Sequence, residues 1–155
     1  MLIKYPEEQL DSLEEVAKKS AYYVREIIKG DFFLDDSGIF INELKGFPGV
    51  YSSYVNKTIG NPGILKLMEN ARDRSAQFST CIAYYDGTVN LFVGKTSGTI
   101  STTERGRNGF GFDPIFIPDG YEETYAEMPL EKKNSLSHRF KAANLFLEFL
   151  KKKKI

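Results

Sequence analysis

Asp35 and Asp36 stand side by side in this chain, followed by Ser37 and Gly38. Adjacent carboxylates offer oxygen ligands to a hard cation, or a base that can take a proton from water. The same four residues also make an ordinary turn in which an aspartate bonds to its own backbone. A second stretch, Glu104 to Phe116, interleaves Gly106, Gly109 and Gly111 with Arg105, Arg107, Phe110, Phe112 and Asp113. Its glycines permit a sharp turn or close approach to a ligand, and the residues between them supply cationic, aromatic and carboxylate chemistry. A surface hairpin with a bulge is the plainer account of that spacing. A phosphate cradle fits it poorly, because the run leads into the strand-like Ile115-Phe116-Ile117 and not into a helix whose N-terminus could meet an anion. The third group is Ser137-His138-Arg139, which contains the only histidine.

The elements that must position these groups follow from hydrophobic period and end signals. Met1 to Tyr5 reads as the end of a strand closed by Pro6. Ser12 and Glu15 have the spacing of a capping box, and Leu13, Val16, Ala17, Ser20, Ala21, Val24, Ile27 and Ile28 form one helical stripe that Gly30 can stop. Lys18 and Lys19 lie off that stripe. Phe32-Phe33-Leu34 reads as a short strand covered on both faces, with the acid pair at its C-terminal end, where ligands gather in open α/β sheets. A short helix is expected over Val50–Val55, and Asn61 is expected to cap a helix that begins with Pro62. From Ala76 the period becomes two, turning at Asp86-Gly87 and returning through Val89, Leu91 and Val93, with the strand continuing from Gly94 to Ile100. Ser137 is the expected N-cap of a last helix that buries Phe140, Ala143, Phe146, Leu147 and Leu150, so His138 and Arg139 fall in its first turn.

Bulk properties exclude several classes. A chain of 155 residues is one compact domain. Its 21 basic and 21 acidic residues cancel, which leaves no global field to attract nucleic acid or an anionic membrane. Any anion must be held by a local cluster. A lone Cys81 rules out a disulfide framework and points to a reducing compartment. No apolar run has the length of a membrane span, and the acidic N-terminus lacks signal-peptide character, so the expected location is cytoplasmic.

Taken in order, four stretches are far more specific than any one alone. They are Leu34-Asp35-Asp36-Ser37-Gly38 with Gly46-Phe47-Pro48-Gly49-Val50-Tyr51-Ser52; Gly106 through Phe116; Thr124-Tyr125-Ala126-Glu127-Met128; and Lys133-Asn134 with Ser137-His138-Arg139. The series resembles the noncanonical purine nucleoside triphosphate pyrophosphatases, the inosine triphosphatase (Ham1-like) family, from about Tyr5 to the C-terminus. That resemblance implies an α/β fold with a long mixed central β-sheet flanked by helices, two lobes enclosing a nucleotide cleft, and a homodimer. It implies hydrolysis of ITP, dITP and XTP to the monophosphate and pyrophosphate with Mg²⁺, as house-cleaning of the nucleotide pool. The implied metal ligands are Glu7, Asp35 and Asp36, with Asp36 activating water. Lys19 and Lys133 fall on phosphate-binding lysines, Ser37 on a substrate contact, Phe110 on the aromatic that stacks on the base, with Phe112 and Asp113 beside it. Ser137, His138 and Arg139 fall on the base-recognising triplet.

Base selection has a physical basis in those types. Hypoxanthine and xanthine carry an oxygen at position six where adenine carries an amino group, so donors from Arg139, His138 or a backbone N–H pair with the former and confront the latter with a second donor. The family pattern usually begins with a strand and a Gly-Asn-x-x-Lys loop that holds the triphosphate, and nothing before Met1 corresponds to it. Leu10 stands where glycine is common and Ser53 where a basic residue is common. These departures set up an alternative, a nucleotide-binding remnant without turnover. A third reading, a single-strand nucleic-acid module stacking bases on Phe110 and Phe112, is opposed by the zero net charge.

Overall fold

The protein is described by a computed structural model that covers residues 12–153. Helix α1 runs Leu13–Arg25, and the Ser12 hydroxyl accepts from the Glu15 backbone N–H at 3.2 Å, the hydroxyl half of the anticipated box. Its buried side is Leu13, Ala17, Ser20, Ala21 and Val24. The helix stops earlier than Gly30, which leaves Ile27 exposed and outside the stripe. Ala17 and Ala21 let α1 lie close upon Cys81 and Ala83 of the sheet beneath.

Strand β1 is Phe32–Ile41, and it corrects the sequence reading in two ways. It does not end at Leu34, and it is not covered on both faces, since Phe33 is 63% exposed. The ladder to β2 (Ser75–Tyr85) continues unbroken from Phe32 opposite Tyr85 to Ile41 opposite Ala76, and each added backbone pair outweighs the local turn tendency of Asp-Asp-Ser-Gly. The acid pair thus lies in mid-strand. β2 turns through Asp86–Thr88 into β3 (Val89–Ile100), and a short β4 (Phe116–Pro118) pairs with the end of β3. The order is β1-β2-β3-β4, and all pairings among the described residues are antiparallel, so the strand-end rule for parallel sheets does not place the site. The α/β class holds, with helices on both faces.

A single turn at Gly49–Tyr51 leads into α2 (Ser52–Thr58) and then α3 (Gly60–Leu67). Asn61 lies inside α3 and is not its cap. Val55, Ile64 and Met68 from these helices join Ile39, Phe78 and Phe116 in the largest apolar cluster. After a turn at Tyr125–Glu127, closed by a capping box between Thr124 and Glu127, come α4 (Leu130–Leu136) and α5 (His138–Lys153).

The inward face of α5 is His138, Ala142 and Phe146, while Phe140 and Leu147 are exposed. That is a rotation away from the expected stripe, and Gly94 on β3 is its cause. A Cβ at residue 94 would collide with the carbonyl of His138 and the backbone N of Ala142, so the helix backbone itself rests on the strand. Ser137 caps the helix as expected, its hydroxyl accepting from the Phe140 N–H at 3.2 Å.

Candidate active site

A cavity of about 300 Å³ opens between β1 and α2 on one side and the Phe110 loop, α4 and α5 on the other. Ser37, Phe110, Phe112, Asp113, Lys133, Ser137, His138 and Arg139 all line it, as do Asn56 and Phe78, which the sequence reading had not placed there. Lys19 lies on the exposed side of α1 and is not among the lining residues, and Glu7 lies outside the described residues.

One end of the cavity is aromatic and cationic. The Phe110 ring is 63% exposed, yet its backbone is fixed. Its N–H donates to Asp113 Oδ2 at 3.0 Å, the Asn61 Nδ2 donates to the Gly111 carbonyl at 3.0 Å, and the Asn108 Nδ2 donates to the Met128 carbonyl at 2.9 Å. Gly109 and Gly111 have positive φ, and a Cβ at Gly109 would strike the Asp113 carboxylate, so glycine is required for that wrap. The Asp113 carboxylate also pairs with Lys133 Nζ at 2.5 Å, both side chains buried. Lys133 Nζ sits 4.8 Å from the Phe110 ring centre, and the Arg139 guanidinium carbon 5.3 Å from it. The resemblance gave Lys133 to the phosphates; in the structure it lies at the Phe110 end. Phe112 belongs to the core cluster while touching the cavity.

His138 is buried, its ring stacked on Phe78 at 4.5 Å with 5° between planes. Burial first, then the charges of Arg139, Lys133 and Lys141, hold its pKa down to about 3. The imidazole is consequently neutral at pH 7, with one nitrogen a donor and the other an acceptor. Its Nδ1 is buried without a hydrogen-bond partner among the described residues.

The two aspartates do not converge. Successive residues of a strand point to opposite faces. Asp35 is paired with Ile82, which packs with Ala142 and Phe146 of α5, whereas Asp36 is paired with Cys81, which packs under α1. Asp35 Oδ2 lies 3.7 Å from Arg139 Nη1, both side chains about half exposed. Asp36 Oδ2 is buried and has no hydrogen-bond partner among the described residues. Burial, and secondarily the Asp35 charge, push the Asp36 carboxyl up to about 6. The alternation of an uninterrupted strand thus sends Asp35 and Asp36, both expected as metal ligands, to opposite faces of the sheet. Ser37, one residue on, faces the α5 side and shares a 2.6 Å hydrogen bond with Thr80.

The sequence profile of the Ham1 family matches residues 1–149. This chain belongs to the Ham1 family. Among Ham1 relatives, the dITP/XTP pyrophosphatase of Thermococcus kodakarensis is 54% identical over 149 residues, spanning 96% of this chain and 81% of the relative. That of Pyrococcus horikoshii is likewise 54% identical, over 96% of this chain and 80% of its own length. The Ham1 protein of Staphylococcus aureus has a solved structure that matches with a TM-score of 0.88 at 34% identity, covering 95% of this chain and 80% of that one.

As a cation ligand, this Ham1 chain presents one well-prepared group. Asp36 Oδ2 is a hard oxygen donor, desolvated and unpartnered, which is the condition a divalent ion relieves. No cluster of three or more acidic, histidine or cysteine side chains positioned for a metal occurs among the described residues.

Of the groups the sequence reading missed, Asn61 carries no separate signal. Asn-Pro reads as a helix start, and only the fold brings its amide to Gly111. Phe78 reads as one core residue of an alternating strand, and its role as the seat of His138 depends on where α5 lands.

Proposed function

We propose that this chain hydrolyses the triphosphates of deaminated purine nucleosides, the ITP, dITP and XTP class, to the monophosphate and pyrophosphate. The observation that carries this reading is the exposed Phe110 ring on a backbone tied at Asp113, Asn61 and Met128, flanked by Lys133 and Arg139 in the same cavity as neutral His138. A purine can stack on such a ring, and preorganised donors beside it cost little further ordering on binding. The names of the Thermococcus and Pyrococcus relatives support the same substrate class.

In this reading, Arg139 and one His138 N–H face the oxygen at position six of the base. Adenine would set its amino group against those donors and leave them unpaired, at a cost of about 1–3 kcal/mol for each buried group. Ser37 contacts the nucleotide where it passes the edge of β1, and Lys19 meets phosphate oxygens by virtue of the family pattern. Water attacks the α-phosphorus, the bond to the bridging oxygen breaks, and pyrophosphate leaves. Asp36 orients that water and takes its proton. Mg²⁺ would be held by Asp36, with Glu7 as the second carboxylate implied by the family pattern, and would neutralise triphosphate charge. The working unit in this reading is a homodimer.

The test is incubation of the purified protein with ITP, XTP and ATP in the presence of Mg²⁺, with chromatographic separation of products. IMP and XMP with pyrophosphate are expected, and AMP only slowly. Release of IDP and phosphate, or binding of IMP with no turnover of ITP, would overturn the proposal.

A further inference from the structure

The adjacency of two acids in the sequence invites one shared role, and β1 separates them. Asp35 leaves the strand on the face that α5 covers, next to Ile82, and its Oδ2 lies 3.7 Å from Arg139 Nη1. Arg139 in turn lies over the Phe110 ring at 5.3 Å. A guanidinium can pair by one edge and stack by its face at once, which an ammonium cannot do. We infer that Asp35 is a positioning residue for the base end: it holds the Arg139 guanidinium against Phe110 at the height of the purine, and thereby tunes the preference for a six-oxo purine over adenine, instead of ligating the metal with Asp36. This rests on the substrate class proposed above.

The rival assignment makes a different demand. A ligand shared with Asp36 would have to reach around an uninterrupted strand, away from Arg139, to a carboxylate that sits beneath α1. The ion pair is half exposed, so its influence is moderate: Asp35 steers Arg139 and does not fix it rigidly.

The experiment is a double-substitution cycle on the full chain. Turnover of ITP and of ATP is measured for the wild type, Asp35→Asn, Arg139→Ala and the pair, each over a Mg²⁺ titration. Calorimetry with IMP and AMP without metal gives a readout independent of turnover. Asp35→Asn should lower the ITP-to-ATP ratio of kcat/KM by about two- to fivefold, the range of an exposed ion pair, and weaken IMP by the same factor with AMP unchanged. The Mg²⁺ concentration for half-maximal turnover should stay within about twofold, and in the Arg139→Ala background Asp35→Asn should change nothing further. Asp35→Ser should repeat the pattern if the amide disturbs the strand. An unchanged ratio with the Mg²⁺ requirement raised about tenfold, or effects of the two substitutions that multiply, would sink the inference while leaving the proposed function intact. A wild type that neither turns over ITP nor binds IMP would remove both.

Discussion

Asp36 and His138 occupy opposite faces of one sheet and carry opposite penalties. Under α1, burial makes a carboxylate reluctant to ionise, with its pKa near 6. Against Phe78, burial and three neighbouring cations make an imidazole reluctant to accept a proton, with its pKa near 3. In the metal-free protein the first group changes state near neutral pH and the second is locked in one state; in the proposed reading the first handles the water and the second reads the base. In that reading, the sheet keeps the reactive and the reading groups from sharing an environment.

The firmest way to break this contrast is to remove the charge at Asp36. Asp36→Asn should lower ITP turnover on the order of 10²- to 10⁴-fold while IMP still binds, and should raise the unfolding temperature at pH 7, because a desolvated anion is gone. Product assays and calorimetric melting test both halves, and a less stable, equally active variant would refute them. Next in size is the pair under Phe110. Asp113→Asn leaves Lys133 buried without its counter-charge and should cost about 3–5 kcal/mol in urea unfolding, most of it recovered by adding Lys133→Met.

The pH dependence sharpens the comparison further. His138 has a folded pKa below its unfolded value, so its contribution is full above about 6.5 and is lost as pH falls toward 3. For Asp36 the folded value is the higher one, so its contribution is present below about 4 and is lost as pH rises through 6. The two oppose each other between. In Asp36→Asn the histidine acts alone, and stability should fall more steeply on acidification than in the wild type, by up to about 1.4 kcal/mol per pH unit. His138→Gln should flatten the same curve. Smaller again, Arg139→Ala should erode the ITP-over-ATP preference by about 1–2 kcal/mol with turnover of ITP largely kept. Asn61→Ala should cost about 1 kcal/mol in IMP binding, through a looser Phe110 loop, with the Mg²⁺ requirement unmoved.

Much of this site is legible in the sequence. Phe110, Asp113, Lys133 and Ser137 through Arg139 meet in one cavity, because order and spacing along the chain survive whatever the packing does. The hairpin of β2 and β3 and the cap at Ser12 were equally plain, being local in period and chemistry. What failed was decided at long range. Asp-Asp-Ser-Gly has the makings of a turn, and a partner strand more than forty residues away, with Ser37 against Thr80, kept it extended. The burial of His138 in place of Phe140 was settled by a missing side chain on β3, which no pattern within α5 could announce.

Gly94 leaves no contact of its own in the cavity, yet any residue with a side chain there must lift the start of α5 off the sheet. His138 and Arg139 ride on that first turn, so the lift would retract the base readers while Phe110 stayed where its own loop holds it. In the proposed reading, selectivity is thus exposed to mutation at a position outside the cavity lining, and a screen for relaxed base choice should recover changes at 94 alongside those at 139.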